Sequence, residues 1–423
     1  MLQPKFSFDK QKRKYVAQKE FTDREQPQET FLRNLNELSE RLLSNIEYPH
    51  DVKPHVLVYY GVGGIGKTTL KNKLKETVLE ISNSISLEID FKNVRSRECA
   101  AGLLDMANSI KLSSNTKKIY FPHFELAYAI YFKKKYPDMS FSKENESLFS
   151  KHEFGIELLS FFDPVGVIGI TKSVVDQVYK HSKNIVLKPD MKEELKKFEV
   201  MSLSEMEEWL PTYFGFDLNK YLEKNSAVKI IVFVDTFESL YEFGTHELKR
   251  IEKDNWLKEL ILNVPNVLFS IFGRNKILWK DEWESYLDQH LLSELTIDYT
   301  IDFLKKCGVE EDDIREKIAN VSNGHPYYLD LSVDTYFSIK NSGSIPTVDF
   351  FGNVKNDILD RFVRNLHDIE IELLKLMCIP NYLNYEIFTL LIEAFRIPYS
   401  PTQFSSFNQY SFITENESLK KDY

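Results

Sequence analysis

The chain has 423 residues, 43% of them hydrophobic, and a formal net charge of −10. Its length suggests about three domains, and its acidic balance argues against a protein that coats nucleic acid, although a local basic patch is compatible with it. The three cysteines, Cys99, Cys307 and Cys378, form no C-x-x-C pair, which indicates a reducing cytoplasm and no structural zinc.

No export signal or membrane span is predicted. Residues 1–5 lack a hydrophobic signal core. The most apolar stretch, residues 161–170, contains Asp163 and Pro164 and is shorter than the roughly 20 residues that a bilayer-spanning helix needs. The expected protein is soluble and cytoplasmic.

The N-terminal region, residues 1–50, is predicted to be a basic arm followed by a lead-in helix. Residues 1–20 are rich in lysine and arginine, and the arm is either simply solvated or a contact site for a partner or nucleic acid. Apolar side chains at helical spacing predict the helix over residues 29–46.

Residues 61–70, GVGGIGKTTL, fit the phosphate-loop pattern G-x-x-x-x-G-K-[ST] at every fixed position. The run at 55–60 predicts a buried strand before the loop, and apolar positions over 70–79 predict a helix after it. Such a loop binds anions, because backbone N–H groups point into it and the helix dipole adds partial positive charge. The alternative, a glycine-rich turn with an incidental lysine, does not explain this strand-loop-helix context.

The loop residues expected to bind the phosphates of ATP or ADP are Gly61, Gly63, Gly64, Ile65, Gly66, Lys67 and Thr68. Glycines let the backbone approach a phosphate without a Cβ clash. The Lys67 ammonium is expected to reach the β and γ phosphates, and the Thr68 hydroxyl to hold Mg²⁺.

Further strands are predicted at 85–91, 228–235 and 266–272, with a short one at 291–295. Their alternation with helices predicts a parallel α/β sheet covered by helices on both faces. Residues at about 100–225 form a long connection that is predicted to be a helical insertion. Its apolar piece at 165–170 is expected to be core, with an interaction surface as the alternative.

Two strand ends supply the remaining candidate site residues. Asp235 ends a strand and Glu238 follows closely, so Asp235 is expected to hold Mg²⁺, directly or through water, and Glu238 to act as general base for the attacking water. Arg274 leaves the next strand and could report the γ-phosphate through charge-assisted hydrogen bonds. The alternative for Asp235 is a turn or cap residue. For Glu238 it is a solvated glutamate, and for Arg274 a surface arginine.

The ordered set formed by 63–70, 234–238, Phe272-Gly273-Arg274 and Gly324-His325-Pro326 resembles the STAND class of signal-transduction P-loop ATPases, close to the NB-ARC type. The segment 21–25 resembles the entry motif of that class. The resemblance covers residues 20 to 415 and leaves the long insertion unexplained.

The resemblance also implies roles for individual residues. Lys67, Thr68 and Thr69 would bind the phosphates and Mg²⁺. Asp235 would be the second acidic motif, and Arg274 would be the first sensor. Pro326 would pack near the base, and Arg24 would lie near the adenine or ribose. The alternative for Gly324-His325-Pro326 is an ordinary helix-breaking turn.

The predicted domains are the arm and lead-in helix at 1–50, a P-loop nucleotide-binding domain at 51–297, a small helical domain at 298–352 and a winged-helix-like domain at 353–423. The resemblance implies the winged helix, with its wing at 411–413. Few basic residues follow Arg364, so we expect this domain to clamp the nucleotide rather than bind DNA.

The chain departs from the family in two respects. No histidine follows His367, so the family's diphosphate-binding histidine motif lacks a counterpart. The sequence also contains no repeat sensor and no effector domain, so either it is a fragment or partner proteins supply sensing and output.

The expected function is an ATP/ADP switch with slow Mg²⁺-dependent hydrolysis, self-association in the ATP state and a role in bacterial, including antiviral, defence or in regulation. One alternative is a winged-helix DNA-binding ATPase of the origin-recognition-like type. Another is a nucleotide-binding scaffold that does not hydrolyse ATP. The expected partners are nucleotide and either a second copy or separate sensor and effector proteins, with nucleic acid disfavoured.

Overall fold

A computed structural model describes residues 24–43, 53–136, 197–240, 253–351 and 368–404, apart from the single positions 199, 381, 402 and 403. The basic arm, the apolar piece at 165–170 and the predicted wing at 411–413 lie outside these residues. The chain divides into two compact units. We call 26–61 with 70–291 the sheet unit, and 1–25 with 62–69 and 292–423 the loop unit.

The described residues of the sheet unit form six strands: β1 (His55–Tyr60), β2 (Ser84–Asp90), β3 (Lys111–Leu112), β4 (Lys229–Asp235), β5 (Leu268–Gly273) and β6 (Leu287–Leu291). Their order is β3-β2-β4-β5-β1-β6. Every neighbouring pair is parallel except β2 with β3, which is antiparallel. This confirms the predicted α/β class with a mostly parallel sheet.

Helices cover this sheet: α1 (Glu25–Leu43), α2 (Lys67–Glu80), α3 (Cys99–Asn108), α4 (Pro122–Lys135), α5 (Leu203–Lys224) and α6 (Asn255–Asn263). β4 and β5 are almost wholly buried, as expected for strands with helices on both faces. Apolar side chains of α3, α4 and α5 share one core with those strands. The described part of the 100–225 connection therefore packs as part of the sheet's own core.

The strand predicted at 291–295 is wrong in position, because β6 is Leu287–Leu291. Among the described strands, β6 is an edge strand that pairs with β1 alone, and its side chains are mostly half-buried. An edge strand of this kind tolerates a mixed sequence, so the more apolar residues that follow misled the prediction. Leu295 instead packs in the core of the loop unit.

The junction of α4 and α5 contains buried ionisable groups. The Asp217 carboxylate of α5 accepts hydrogen bonds from the backbone N–H groups of His123 and Phe124, each at 3.0 Å, and so caps the first turn of α4. The His123 imidazole also contacts Asp217. Burial, together with the nearby Asp217, raises the pKa of the Glu125 carboxyl to about 8.

Glu125 should make the sheet unit less stable as the pH rises from about 5 to 8. Its carboxyl is protonated in the folded protein over this range but ionised in the unfolded chain, so the unfolded state binds fewer protons. The loss should be on the order of 3 kcal/mol, since each unit of pKa shift is worth about 1.4 kcal/mol.

Urea unfolding of the wild type and of Glu125→Gln at pH 5, 6.5 and 8 measures this contribution. The variant should lose less stability with rising pH, whereas Glu223→Gln, an exposed position on α5, should follow the wild type. Equal pH slopes for the wild type and Glu125→Gln would contradict the expectation.

The loop unit contains five described helices: α7 (Ile297–Lys306), α8 (Asp312–Ser322), α9 (Pro326–Asn341), α10 (Asp368–Met377) and α11 (Tyr385–Ala394). α7, α8 and α9 enclose one core that includes Leu304, Ile318 and Leu329, and α10 and α11 enclose another around Leu373 and Phe388. No described helix is long and apolar enough to cross a bilayer.

The turn between α8 and α9 follows from its sequence. α8 ends at Asn323, whose φ is 50°, and Gly324 follows with a φ of 70°. Asparagine and glycine are the residues that most readily adopt this left-handed conformation at a helix end. Pro326 then opens α9, where its missing N–H and fixed φ are no disadvantage.

Candidate functional site

The loop between β1 and α2 contains two glycines in the left-handed backbone region. Gly64 and Gly66 have φ values of 79° and 92°, a region that side chains disfavour. A Cβ on Gly63 would meet no atom within 4 Å, so that part of the loop is open. Lys67 is the first residue of α2, and its ammonium donates a hydrogen bond to the Val62 carbonyl at 2.9 Å.

In the described part of the loop unit, side chains from outside the loop contact it. The buried Arg24 guanidinium donates to the Ile65 carbonyl at 2.9 Å. A Cβ added to Gly64 would lie 2.8 Å from the Tyr327 Cβ and 3.1 Å from the His325 Cε1. The segment around Pro326 therefore packs directly on the loop backbone.

In the sheet unit, Asp235 is the last residue of β4 and is buried. Its Oδ1 accepts a hydrogen bond from the Thr236 N–H at 2.8 Å, and its Oδ2 lies 3.0 Å from the Lys71 ammonium. Thr236 has a φ of 55°, which is rare for a β-branched residue, and such strain concentrates at functional sites. The Thr236 hydroxyl donates to Asp90, which ends β2, at 2.7 Å.

Lys71 joins Asp235 to a second carboxylate. The buried Lys71 ammonium forms an ion pair with Glu88 of β2, and Lys75, one turn later on α2, also pairs with Glu88. Burial alone would lower the pKa of Lys71, but the adjacent Asp235 and Glu88 outweigh it and raise that pKa above its ordinary value. Burial opposes ionisation of Glu88 as well, yet the lysines hold its pKa below the usual range.

The sequence contains a signal for this cluster of Lys71, Glu88 and Asp235. Lys71 lies on the buried face of α2 with Leu70, Leu74 and Val78, and Glu88 interrupts the apolar run of β2. A charge on each of two apolar surfaces is costly unless the two charges pair. A lysine on the apolar face of a helix and a glutamate in an apolar strand therefore predict an ion pair between Lys71 and Glu88.

Arg274 and Glu238 are brought together at the carboxyl end of β5. Arg274 Nε lies 3.0 Å from Glu238 Oε1, and the Arg274 N–H donates to Glu238 Oε2 at 3.1 Å. The Glu238 side chain is 15% exposed and the Arg274 side chain 58% exposed. The Gly61 N–H donates to the Gly273 carbonyl at 3.2 Å, so Arg274 leaves the sheet beside the strand end from which the loop starts.

The site residues predicted from sequence thus fall into two groups. Asp235, Glu238 and Arg274 lie at the carboxyl ends of β4 and β5 in the sheet unit, and the loop, Arg24 and Pro326 belong to the loop unit. α2 carries Lys67 and Lys71 on successive turns. Their roles toward a ligand stay predictions.

The oxygen groups present are of the kind that Mg²⁺ prefers. Asp235 offers a carboxylate and Thr68 a hydroxyl, and Mg²⁺ is usually bound by one or two protein carboxylates together with substrate phosphates and water. Among the residues that the structure describes, no group of three histidine, cysteine or acidic residues could hold a metal ion.

No protein-family model matches this sequence, and no curated protein matches it. Similar solved structures include a signal transduction ATPase with numerous domains (STAND) that has a tetratricopeptide repeat sensor, from Pyrococcus horikoshii. That structure is 16% identical, with a TM-score of 0.37, over 88% of this chain and 38% of its own. This chain therefore spans well under half of that protein.

Two other similar structures are an ORC2 protein and a Cdc6p. The ORC2 protein of Aeropyrum pernix, in ADPNP–ADP complexes, is 13% identical with a TM-score of 0.39, over 94% of this chain and 88% of its own. Cdc6p of Pyrobaculum aerophilum is 13% identical with a TM-score of 0.33, over 93% of this chain and 87% of its own. Because these TM-scores are below 0.5, we base the function on the residues of this chain.

Proposed function

We propose that this protein is a switch that binds ATP and ADP and hydrolyses ATP slowly with Mg²⁺. The observation that carries the proposal is the packing of His325 and Tyr327 on Gly64. A phosphate bound by the loop would lie against the same backbone that these side chains contact. A change of nucleotide would thereby change the contacts of α9.

The candidate residues fall into groups that would bind the phosphates, hold Mg²⁺ or lie near the base and sugar. Backbone N–H groups of Gly63, Gly64 and Gly66 and the Lys67 ammonium would bind the phosphates. The Thr68 hydroxyl and Asp235 would hold Mg²⁺, directly or through water, and the ion would neutralise phosphate charge. Thr69 and Arg24 complete the assignment, at the phosphates and near the adenine or ribose.

Glu238 and Arg274 satisfy each other's charge in the structure. In the proposed mechanism, Arg274 exchanges Glu238 for the γ-phosphate, which is present in ATP and absent from ADP. Glu238 is then released to orient a water molecule and accept its proton. Charge-assisted hydrogen bonds of this kind contribute about 1.5–3 kcal/mol each.

Such contacts are of the size that a switch needs. Moving a two-state equilibrium from about 1:99 to 99:1 takes roughly 5.5 kcal/mol of differential affinity. Lys67 and Arg274 together could supply much of this. We propose that ADP favours a closed monomer and ATP favours self-association, in a cytoplasmic defence or regulatory role.

DNA binding is not favoured by the described C-terminal helices. α10 and α11 carry five acidic residues, Asp368, Glu370, Glu372, Glu386 and Glu393, and one basic residue, Lys375. A phosphate backbone is attracted by clustered lysine and arginine. These helices therefore do not support the origin-recognition-like alternative, which the DNA-binding measurement below tests.

The test is the nucleotide that the purified protein contains, together with its mass in solution. Chromatography of acid-released nucleotide should find ADP, and light scattering should give a monomer that becomes a larger species with a non-hydrolysable ATP analogue. A protein that binds neither nucleotide would contradict the proposal. Salt-sensitive binding of duplex DNA by that protein would favour the alternative.

Asp235→Asn should reduce Mg²⁺-dependent ATP hydrolysis by about 100-fold, the usual scale for losing one electrostatic group at a reacting centre. ADP affinity measured by calorimetry in EDTA should change less than about threefold, since Asp235 is assigned to the metal. Asp288→Asn, on the edge strand β6, is the control and should leave both quantities unchanged. Unaltered Mg²⁺-dependent hydrolysis in Asp235→Asn would remove Asp235 from the mechanism.

A further inference from the structure

A cation supplied by the chain itself, the Lys71 ammonium, lies between two carboxylates, Glu88 within β2 and Asp235 at the end of β4. The Lys71 side chain is only 5% exposed. Its ammonium is 3.0 Å from Asp235 Oδ2 and forms an ion pair with Glu88. Two carboxylates around one cation is also an arrangement that proteins use to hold a divalent ion.

The charges of this cluster balance. Lys71 and Lys75 are positive and Glu88 and Asp235 are negative, and only Lys71 contacts both acids. An ammonium at about 3 Å cancels most of the attraction that a carboxylate exerts on another cation. The second oxygen of Asp235 already accepts a hydrogen bond from Thr236. Asp235 is thus neutralised and held in place by the protein's own groups.

We propose that Lys71 is a tethered counter-ion that prevents Asp235 and Glu88 from binding a divalent cation when no nucleotide is present. A divalent ion would then reach Asp235 only when the phosphates of a nucleotide contribute to its binding, a consequence that rests on the proposed function. In the nucleotide-free protein, the role of Lys71 as a counter-ion does not depend on ATP hydrolysis.

Removing the ammonium should create a metal site. Lys71→Ala leaves Asp235 and Glu88 facing the space that the ammonium occupied. We expect the nucleotide-free variant to bind Mn²⁺ at least about tenfold more tightly than the wild type, a difference of about 1.4 kcal/mol. The electron paramagnetic resonance signal of free Mn²⁺ during a titration measures this directly. Adding Asp235→Asn to Lys71→Ala should abolish the gain.

Lys75→Ala is a matched control. It removes the same charge from the same helix, one turn away, and also breaks an ion pair with Glu88, but Lys75 does not pair with Asp235. We expect its Mn²⁺ affinity to stay within about threefold of the wild type, because Lys71 still neutralises Asp235. Equal gains in Lys71→Ala and Lys75→Ala, or no gain in Lys71→Ala, would overturn the proposal.

A second measurement avoids any variant of Lys71. If circular dichroism shows that Lys71→Ala does not fold, the wild type is compared with Asp235→Asn. Weak Mn²⁺ binding that is the same in both supports the tethered counter-ion, and a tight site in the wild type that Asp235→Asn removes overturns it. ADP affinity in EDTA is measured on the same samples, so a failure of the proposed nucleotide site is seen separately.

Discussion

Lys67→Ala should weaken ADP binding by at least about 100-fold, which corresponds to about 2.8 kcal/mol. Lys67 opens α2, and its ammonium donates to the Val62 carbonyl within the loop. In the proposed site, that ammonium turns from the carbonyl to the phosphates, where each charge-assisted bond is worth more than a neutral one. Alanine removes the donor and the charge together.

Titration calorimetry with ADP and Mg²⁺ tests this expectation. Lys73→Ala is the control, because Lys73 lies on α2 with a side chain 42% exposed and pairs only weakly with Glu76. It should bind ADP like the wild type. Without nucleotide, Lys67→Ala should unfold at nearly the wild-type urea concentration, since substitutions of this kind usually change stability by about 0.5 kcal/mol or less. Unchanged ADP affinity in Lys67→Ala would contradict the assignment of the loop to phosphate binding.

Gly324→Ala should destabilise the loop unit by about 3 kcal/mol or more. Gly324 has a φ of 70°, and a side chain there costs about 1–2 kcal/mol. A Cβ would also overlap the Leu295 carbonyl, whose carbon would lie 2.9 Å away. Since the Leu295 N–H donates to the Gly324 carbonyl at 2.8 Å, relieving the overlap would break this hydrogen bond, and overpacking adds about 1–3 kcal/mol.

Gly343→Ala separates backbone strain from the overlap. Gly343 has a φ of 80°, and a Cβ there would meet no atom within 4 Å. Gly343→Ala should lower the free energy of unfolding only by the backbone strain, about 1–2 kcal/mol. Thermal unfolding followed by circular dichroism should therefore show a clearly larger fall in midpoint for Gly324→Ala. Equal falls for the two variants would mean that the contact with Leu295 does not constrain the turn.

These two predictions differ in what the sequence could provide. The loop at 61–70 was predicted as a phosphate loop from its pattern, because glycines and Lys67 act there through a backbone that neighbouring residues determine. Gly324 was found as part of a motif, and the motif alone allowed an ordinary turn. The close approach of Leu295 is what explains why glycine is needed there.

The strands show the same division. β1, β2, β4 and β5 were predicted to within one or two residues, because strands buried inside a sheet are rich in apolar residues. β6 was misplaced, because an edge strand with one neighbour has no such signal. Asp235 and Arg274 were placed at strand ends correctly, since the end of an apolar run fixes where a parallel strand stops.

The glycine-lysine loop, the α/β class and the strand ends that carry Asp235 and Arg274 could be predicted from residue patterns alone. The partners of these residues became evident only in the folded protein: Lys71 contacts Asp235, Glu238 pairs with Arg274, and Tyr327 packs on Gly64. The reason is the range of the forces involved. Periodicity and backbone preference act between residues near in sequence, whereas ion pairs and close packing depend on which distant segments the fold brings within a few ångströms.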